Sequence, residues 1–256
     1  MDITHPLLEL KSDCIQKLCK NAVDYAVSNG IQMEMRCDTL NQRQFIHAPF
    51  TLFPSYFPKS EFDFVVSIQP HINMLMHRLS QDYNFICDSL QSVAEVDSFT
   101  KKQLDVYKES FFISGLEPTL GILRSDYMVN NVCNSEAKYK IKQIEVNCMA
   151  ASFMGIGTHK MQQLYSTVLR SSSAGMNSMI KKVPINNALM NIAKGLVKAW
   201  ENYGSNTDAV VMFFVSSFDN NICDQRQLEY GVYSINPSVK IQRQSFTDMN
   251  IEQCCA

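Results

Sequence analysis

Ala209-Val210-Val211-Met212-Phe213-Phe214-Val215 is an unbroken run of β-prone apolar residues, and it constrains the fold more than any other segment. A strand apolar at consecutive positions has to be covered on both faces, which is the habit of parallel sheets. A polar turn, Ser216-Ser217-Phe218-Asp219-Asn220-Asn221, follows it. Next come a helical stretch from about Asn221 to Tyr230 and a second strand near Val239-Lys240-Ile241. The order is β-α-β, the opening of a parallel sheet with a crossover helix. Ligands of such sheets bind beyond the carboxyl ends of the strands, where Asp219, Asn220 and Asn221 lie.

A strand of the other kind occurs earlier, from Lys140 to Cys148. Its apolar and polar residues alternate with period 2, which places Ile144 and Val146 toward a core and Gln143, Glu145 and Asn147 on the opposite face. A carboxylate and an amide oxygen two residues apart on a rigid strand suit a hard cation such as Mg²⁺, which takes few protein oxygens and fills its shell with water and phosphate. The same alternation also suits a solvated face of an antiparallel sheet. Leu120 to Met128 reads as a partner strand, joined to the first by a polar stretch from Asn130 to Lys138.

The remaining elements are helical. Ile15, Leu18, Cys19, Ala22 and Ala26 recur at helical spacing, and Asn29-Gly30 ends that helix, predicted over residues 7–29. His47 to Pro58, rich in proline and aromatic residues, reads as an extended segment held on a core. Helices are expected over 61–90, with Pro70 as a break and Ile72, Leu75, Met76 and Leu79 as an apolar stripe, and over 99–114. His71 and His77 belong to a helix surface. Gly155 and Gly157 precede a helix carrying Met161, Leu164, Tyr165, Val168 and Leu169. They permit tight turns but make only a weak phosphate motif. Ala188, Leu189, Ile192, Ala193, Leu196, Val197 and Trp200 mark a further helix stopped by Gly204.

Composition narrows the function classes. A net charge of −2 gives no electrostatic case for nucleic acid or anionic membrane as a partner. The longest apolar runs are too short to span a bilayer. Nine scattered cysteines without a Cys-x-x-Cys pair suggest free thiols in a reducing cytoplasm. The five histidines have no zinc-like spacing.

Several segments share one set of relatives. They are Ala48-Pro49-Phe50-Thr51-Leu52-Phe53-Pro54, Arg124-Ser125-Asp126-Tyr127-Met128, and Gln143-Ile144-Glu145-Val146-Asn147 with Ala151-Ser152-Phe153. Ala199-Trp200-Glu201 with Tyr203-Gly204, and Asn221-Ile222 with Asp224-Gln225-Arg226, complete the set. In this order and spacing they resemble eukaryotic-type glutathione synthetase across nearly the whole chain. The resemblance implies an α/β protein of the ATP-grasp glutathione synthetase type. Residues 1–204 would form its helical and antiparallel-sheet part, and residues 205–256 the start of a Rossmann-like substrate-binding domain. It also implies a ligase of glutathione biosynthesis that joins γ-glutamylcysteine to glycine through an acyl phosphate made from ATP, working as a cytoplasmic homodimer. By the same resemblance Glu145 and Asn147 are Mg²⁺ ligands, and Glu145 also meets ATP. Arg124 is the catalytic, substrate-binding arginine, and Met149, Ala150, Ala151 and Ser152 form a dipeptide-holding loop. Asp219, Asn220, Asn221 and Gln225 are a second set of dipeptide positions.

Three residues depart from the family pattern. Ala150 replaces a serine, which removes one hydrogen bond worth about 0.5–1.5 kcal/mol. Asp219 replaces a glutamate and reaches less far. Cys148 replaces a threonine and is expected to be a packing substitution. A larger departure is length: the family's chains are considerably longer, and the glycine-rich ATP-covering loop, phosphate-binding lysines, remaining Mg²⁺ carboxylate and distal substrate arginine have no counterpart here. The expectation is an incomplete ligase inactive by itself. The alternatives are a non-catalytic paralogue that binds γ-glutamylcysteine or pairs with a full-length subunit, and a fragment that does not stand alone.

Overall fold

The computed structural model describes residues 10–36, 43–113, 119–131, 139–149, 151–172, 177–204 and 208–245. The chain divides into two compact units, and the division does not follow chain order. One unit combines Met1–Ser55 with Ser152–Ala256, and the other is Tyr56–Ala151.

The first unit begins with α1 (Ser12–Ser28), which buries Leu18, Ala22 and Ala26 on one face. It is shorter than predicted, and residues 7–9 of the expected helix lie outside the described residues. Gly30 ends it with φ of 71°, a conformation glycine takes without strain. A two-stranded antiparallel hairpin follows, β1 (Gln32–Met35) and β2 (Gln44–His47), which the sequence reading missed. The predicted helix after Gly157 is α5 (Met161–Ser171), entered through a π-helical turn over Gly155–Lys160. Leu164, Val168 and Leu169 on α5 are almost wholly buried. The first two pack with α1, Ile31 and Ala48 in one core.

A second core of the same unit forms around the β-α-β segment. After the short α6 (Asn177–Ile180) come α7 (Ala188–Asn202), β5 (Val210–Val215), α8 (Ile222–Ile235) and β6 (Lys240–Ser245). β5 and β6 pair in parallel, as predicted, with Val210 opposite Lys240 and Val215 opposite Ser245. Leu189, Ala193, Val197 and Trp200 of α7 meet Leu228 and Val232 of α8, Val239 and the partly buried Val211 and Phe213. The expectation that β5 is covered on both faces is corrected: its residues are only partly buried, and Phe214 is 47% exposed. Val211 and Phe213 point to the face that α7 and α8 cover, whereas Phe214 alternates to the other.

In the second unit, α2 (Lys59–Ser80), α3 (Tyr83–Ala94) and α4 (Ser98–Phe111) precede a hairpin of β3 (Arg124–Asn131) and β4 (Tyr139–Asn147). Pro70 does not break the helix expected over 61–90, because α2 runs through it. A proline inside a helix forfeits one hydrogen bond, and the rest of this long helix tolerates that loss. The break comes at Asp82, whose carboxylate accepts the Phe85 N–H at 3.0 Å and caps α3. Asp97 caps α4 in the same way through Thr100 N–H at 2.8 Å. The stripe predicted on α2 does not enter a core: none of α2 is buried, and Leu75 is 50% exposed. Glu61 of α2 accepts the Ile141 N–H of β4 at 2.8 Å. β3 starts at Arg124 rather than Leu120, since the ladder extends only as far as β4 supplies partners, ending at Arg124 opposite Asn147.

Leu164→Ala is expected to destabilise the chain by about 2–5 kcal/mol, as removal of a buried leucine does. Leu75→Ala, on the exposed flank of α2, should stay within about 0.5 kcal/mol. Urea unfolding of the two variants checks the contrast, and equal effects would contradict this packing.

Candidate functional site

The end of the β3–β4 hairpin gathers the first cluster. Antiparallel register sets Glu145 opposite Asp126 and Asn147 opposite Arg124, so all four side chains share one face. Arg124 grips Asp126 with two bonds, Nε to Oδ1 at 2.9 Å and Nη2 to Oδ2 at 3.1 Å. Asn147 Nδ2 donates to Glu145 Oε1 at 3.0 Å and to Asp126 Oδ2 at 3.3 Å. The Arg124 guanidinium holds the Asp126 carboxyl below the usual carboxylate range, and Asp126 raises Arg124 in turn. Both side chains are about one third exposed, so water screens the pair.

The strict alternation predicted for β4 is interrupted. Between Asp126/Glu145 and Tyr127/Gln143 the register shifts by one residue, and Ile144 has no partner. A bulge of this kind re-aims the side chains beyond it. Gln143 therefore opposes Tyr127, leaves the face of Glu145 and Asn147, and donates to the Tyr127 hydroxyl at 3.3 Å. Ile144, expected in a core, is 56% exposed for the same reason. Cys148 is also exposed rather than packed, because the strand has ended at Asn147. Met149 is 76% exposed and Ala151 partly buried, while Ala150 lies outside the described residues.

The second cluster belongs to the other unit, in the loop that leaves β5 and on the first turn of α8. Asp219 Oδ1 accepts the Asn221 N–H at 2.9 Å, and its Oδ2 accepts from Gln225 Nε2 at 2.5 Å. Gln225 Oε1 in turn accepts from Arg243 Nη2 at 2.6 Å. That contact fixes the amide, with its nitrogen toward Asp219. Arg243 also pairs with Glu229, a carboxylate 2% exposed that takes a second bond from Arg226 at 2.6 Å. Asn221 is buried, and its Oδ1 has no partner among the described residues. The Asn220 carbonyl accepts the Glu34 N–H at 2.9 Å, which ties this loop to the β1–β2 hairpin.

Ser152 lies in the same unit as this loop, one residue before the entry to α5. That entry is held by Asp224, which accepts the N–H groups of Phe153, Gly155 and Ile156 at 2.7–2.8 Å. Phe153 has φ of 69°, a strained value for a residue with a side chain, costing about 1–3 kcal/mol. Gly155 and Gly157 prove to be packing glycines. A Cβ on Gly155 would stand 2.8 Å from Gln227 Oε1, and one on Gly157 would stand 2.6 Å from Phe153 Cβ.

Four residues of these networks escaped the sequence reading as site residues. Asp126 stands two positions from Arg124 on one strand, a same-face signal that was available. Arg243 shares its strand face with Ile241, and a cation at an inward position marks a buried partner. Asp224 and Glu229 fall within the apolar face of α8 beside Leu228 and Val232, which calls for the same explanation.

The sequence model of the eukaryotic glutathione synthase ATP-binding domain matches residues 12–254. The chain belongs to that family. It is similar to the glutathione synthetases of Bos taurus (32% identical over 238 residues) and Homo sapiens (30% over 241 residues), each match covering 92% of this chain and 48% of the relative. The Xenopus laevis glutathione synthetase is 33% identical over 238 residues, with the same coverage. The chain thus spans about half the length of the glutathione synthetases it matches. Its fold is similar to that of a glutathione synthetase-like effector from Globodera pallida, solved in its apo form. The TM-score is 0.72 at 24% identity, over 94% of this chain and 52% of the other. Membership of this glutathione synthase family accounts for the mixed α/β architecture.

Arg243→Met should destabilise the family member by about 3 kcal/mol, since it leaves a buried glutamate with half of its partners. Lys198→Ala, which removes a surface pair with Glu201, should change stability by less than about 1 kcal/mol. Denaturant melts of both variants decide this, and a neutral Arg243→Met would contradict the buried network.

Proposed function

We propose that the chain is the dipeptide- and metal-binding part of a glutathione synthetase-type ligase. The observation that carries this is the cluster Arg124–Asp126–Glu145–Asn147 on one strand face, in a chain of the glutathione synthase family. The reaction is ATP-dependent. The carboxylate of γ-glutamylcysteine attacks the γ-phosphorus of ATP, ADP leaves, and the glycine amine displaces phosphate from the resulting acyl phosphate. Arg124 spends two of its five N–H donors on Asp126, and the others are available to a carboxylate or acyl phosphate.

The donor chemistry fits Mg²⁺. Among the described residues no group of three or more His, Cys, Asp and Glu is gathered for a metal. Glu145 and Asp126 nevertheless offer carboxylate oxygens side by side, and the Asn147 amide faces both. Turning that amide about its last bond would replace the N–H with an oxygen. Glu145 and Asn147 would then hold the ion, as the resemblance implies, with Asp126 as a neighbour. When bound, Mg²⁺ supplies neutralisation of charge on the phosphate oxygens. Ser152, Asp219, Asn220, Asn221 and Gln225, with Met149, Ala150 and Ala151, are assigned to γ-glutamylcysteine, and Glu145 also to ATP.

The reading includes a homodimer in the cytoplasm. Supporting the dimer, the β1–β2 hairpin exposes Met35, Phe45 and Ile46 at 40–49%. Phe45 borders a groove that Arg43, Arg226 and Tyr230 also line. Supporting the compartment, Cys14, Cys19, Cys87, Cys148 and Cys223 are free thiols. A monomeric mass in sedimentation would remove the dimer. The second reading, a non-catalytic binder that pairs with a longer subunit, draws on the same exposed hairpin.

Calorimetric titration with γ-glutamylcysteine should show saturable binding, which Arg124→Ala weakens by roughly tenfold or more, as loss of a charge-assisted pair does. With ATP, Mg²⁺ and glycine added, the 256-residue chain alone should release no ADP. Failure to bind the dipeptide would refute the assignment. ADP release that Glu145→Ala abolishes would refute the inactivity.

A further inference from the structure

We infer that Asp224 is the positioning residue of the dipeptide-binding segment, acting through the backbone of Phe153 rather than touching the dipeptide. The inference rests on the reading that Ser152 and Gln225 bind γ-glutamylcysteine, and it concerns a residue to which that reading gives no role.

Asp224 is 1% exposed, and among the described residues no lysine or arginine pairs with it. Its charge is met by three backbone N–H groups instead. Oδ2 takes Phe153 at 2.7 Å, and Oδ1 takes Gly155 at 2.8 Å and Ile156 at 2.7 Å. The last two open a helical stretch that runs from Gly155 to Ser171, and the positive end of its dipole faces the carboxylate. Such charge-assisted bonds are the strong ones, and among the described residues the Phe153 N–H donates to Asp224 alone.

Phe153 is where that restraint matters. It alone of the described non-glycine residues has a positive φ, 69°, a region that side chains avoid. Released from the carboxylate, Phe153 would return to negative φ and swing Ser152, one residue before it. The space for the carboxylate is itself built in: a Cβ on Gly155 would stand 3.2 Å from Asp224 Oδ1. Asp224 also precedes Gln225 on the same turn of α8, and Gln225 is tied to Asp219. One helical turn therefore carries both the anchor of the Ser152 segment and a side chain of the second dipeptide cluster. Their spacing is fixed by covalent geometry, so the anchor sets the distance between the two dipeptide groups of this unit.

The test uses the full chain with two readouts. In Asp224→Asn, a near-isosteric change that removes the charge, hydrogen exchange of the peptide over residues 151–158 should accelerate roughly tenfold or more, while α7 peptides stay unchanged. Affinity for γ-glutamylcysteine by calorimetry should fall by roughly ten- to a hundredfold, the scale of a misplaced binding group. Adding Phe153→Gly should recover part of that affinity, because glycine holds positive φ without the anchor. Should Asp224→Asn not fold, Gly155→Ala crowds Gln227 Oε1 at 2.8 Å and the carboxylate at 3.2 Å, and it should weaken affinity and speed exchange over 151–158 in the same way. Unchanged exchange over 151–158, or lost affinity without faster exchange, would overturn the inference. A native chain that does not bind the dipeptide refutes the dipeptide reading, and the exchange result still judges the anchor.

Discussion

A carboxylate taken out of water has to be met in full, and α8 buries two. Much of the first unit is arranged around that constraint. Asp224 is satisfied by the entry of α5, which holds the chain from Ser152 against α8. Glu229, one turn further along, is satisfied by Arg226 from its own helix and Arg243 from β6. The second arginine joins the parallel strand to the helix and sets the amide of Gln225. The apolar contacts of α7, α8 and β5 supply the burial. The charges select which arrangement of those elements leaves no acid unpaired.

This explains what the sequence made legible and what it did not. Helices were readable where one apolar face has a core to meet, as Leu164 and Val168 of α5 or Leu189 and Trp200 of α7 do. The same rule misled on α2, whose stripe at Leu75 and Met76 has the right spacing and no core among the described residues. Periodicity reports a face but not what covers it. The β-α-β order was plain from the apolar run at Val210–Val215. The bulge at Ile144 was not, because a single unpaired residue leaves an alternating sequence looking regular. It is also what separates Gln143 from Glu145 and Asn147, so the composition of that face was only partly readable. Asp126, Arg243, Asp224 and Glu229 are not legible as a set because their partners meet only through strand register and helix packing.

The family resemblance and the geometry bear on different parts of the account. Membership of the glutathione synthase family rests on the match over residues 12–254. The reasons why Glu145 meets Asp126, and why the Gln225 amide presents its nitrogen to Asp219, come from register and hydrogen bonding. The described contacts of each cluster lie within its own unit. The hairpin end offers cation and carboxylates suited to phosphate chemistry, and the β5–α8 loop offers amides and a carboxylate suited to a peptide. The chain spans about half the length of the relatives it matches, and both clusters fall within residues 12–254 of the family match.

The central claim is that these two clusters bind γ-glutamylcysteine. A ¹⁵N-resolved NMR titration of the chain with the dipeptide tests it most directly. The account predicts saturable shifts concentrated on the Arg124 and Asn147 amides, on Ser152 and Phe153, and on Asp219 to Gln225, with α2 to α4 unmoved. An unchanged spectrum, or shifts confined to residues outside both clusters, would contradict it.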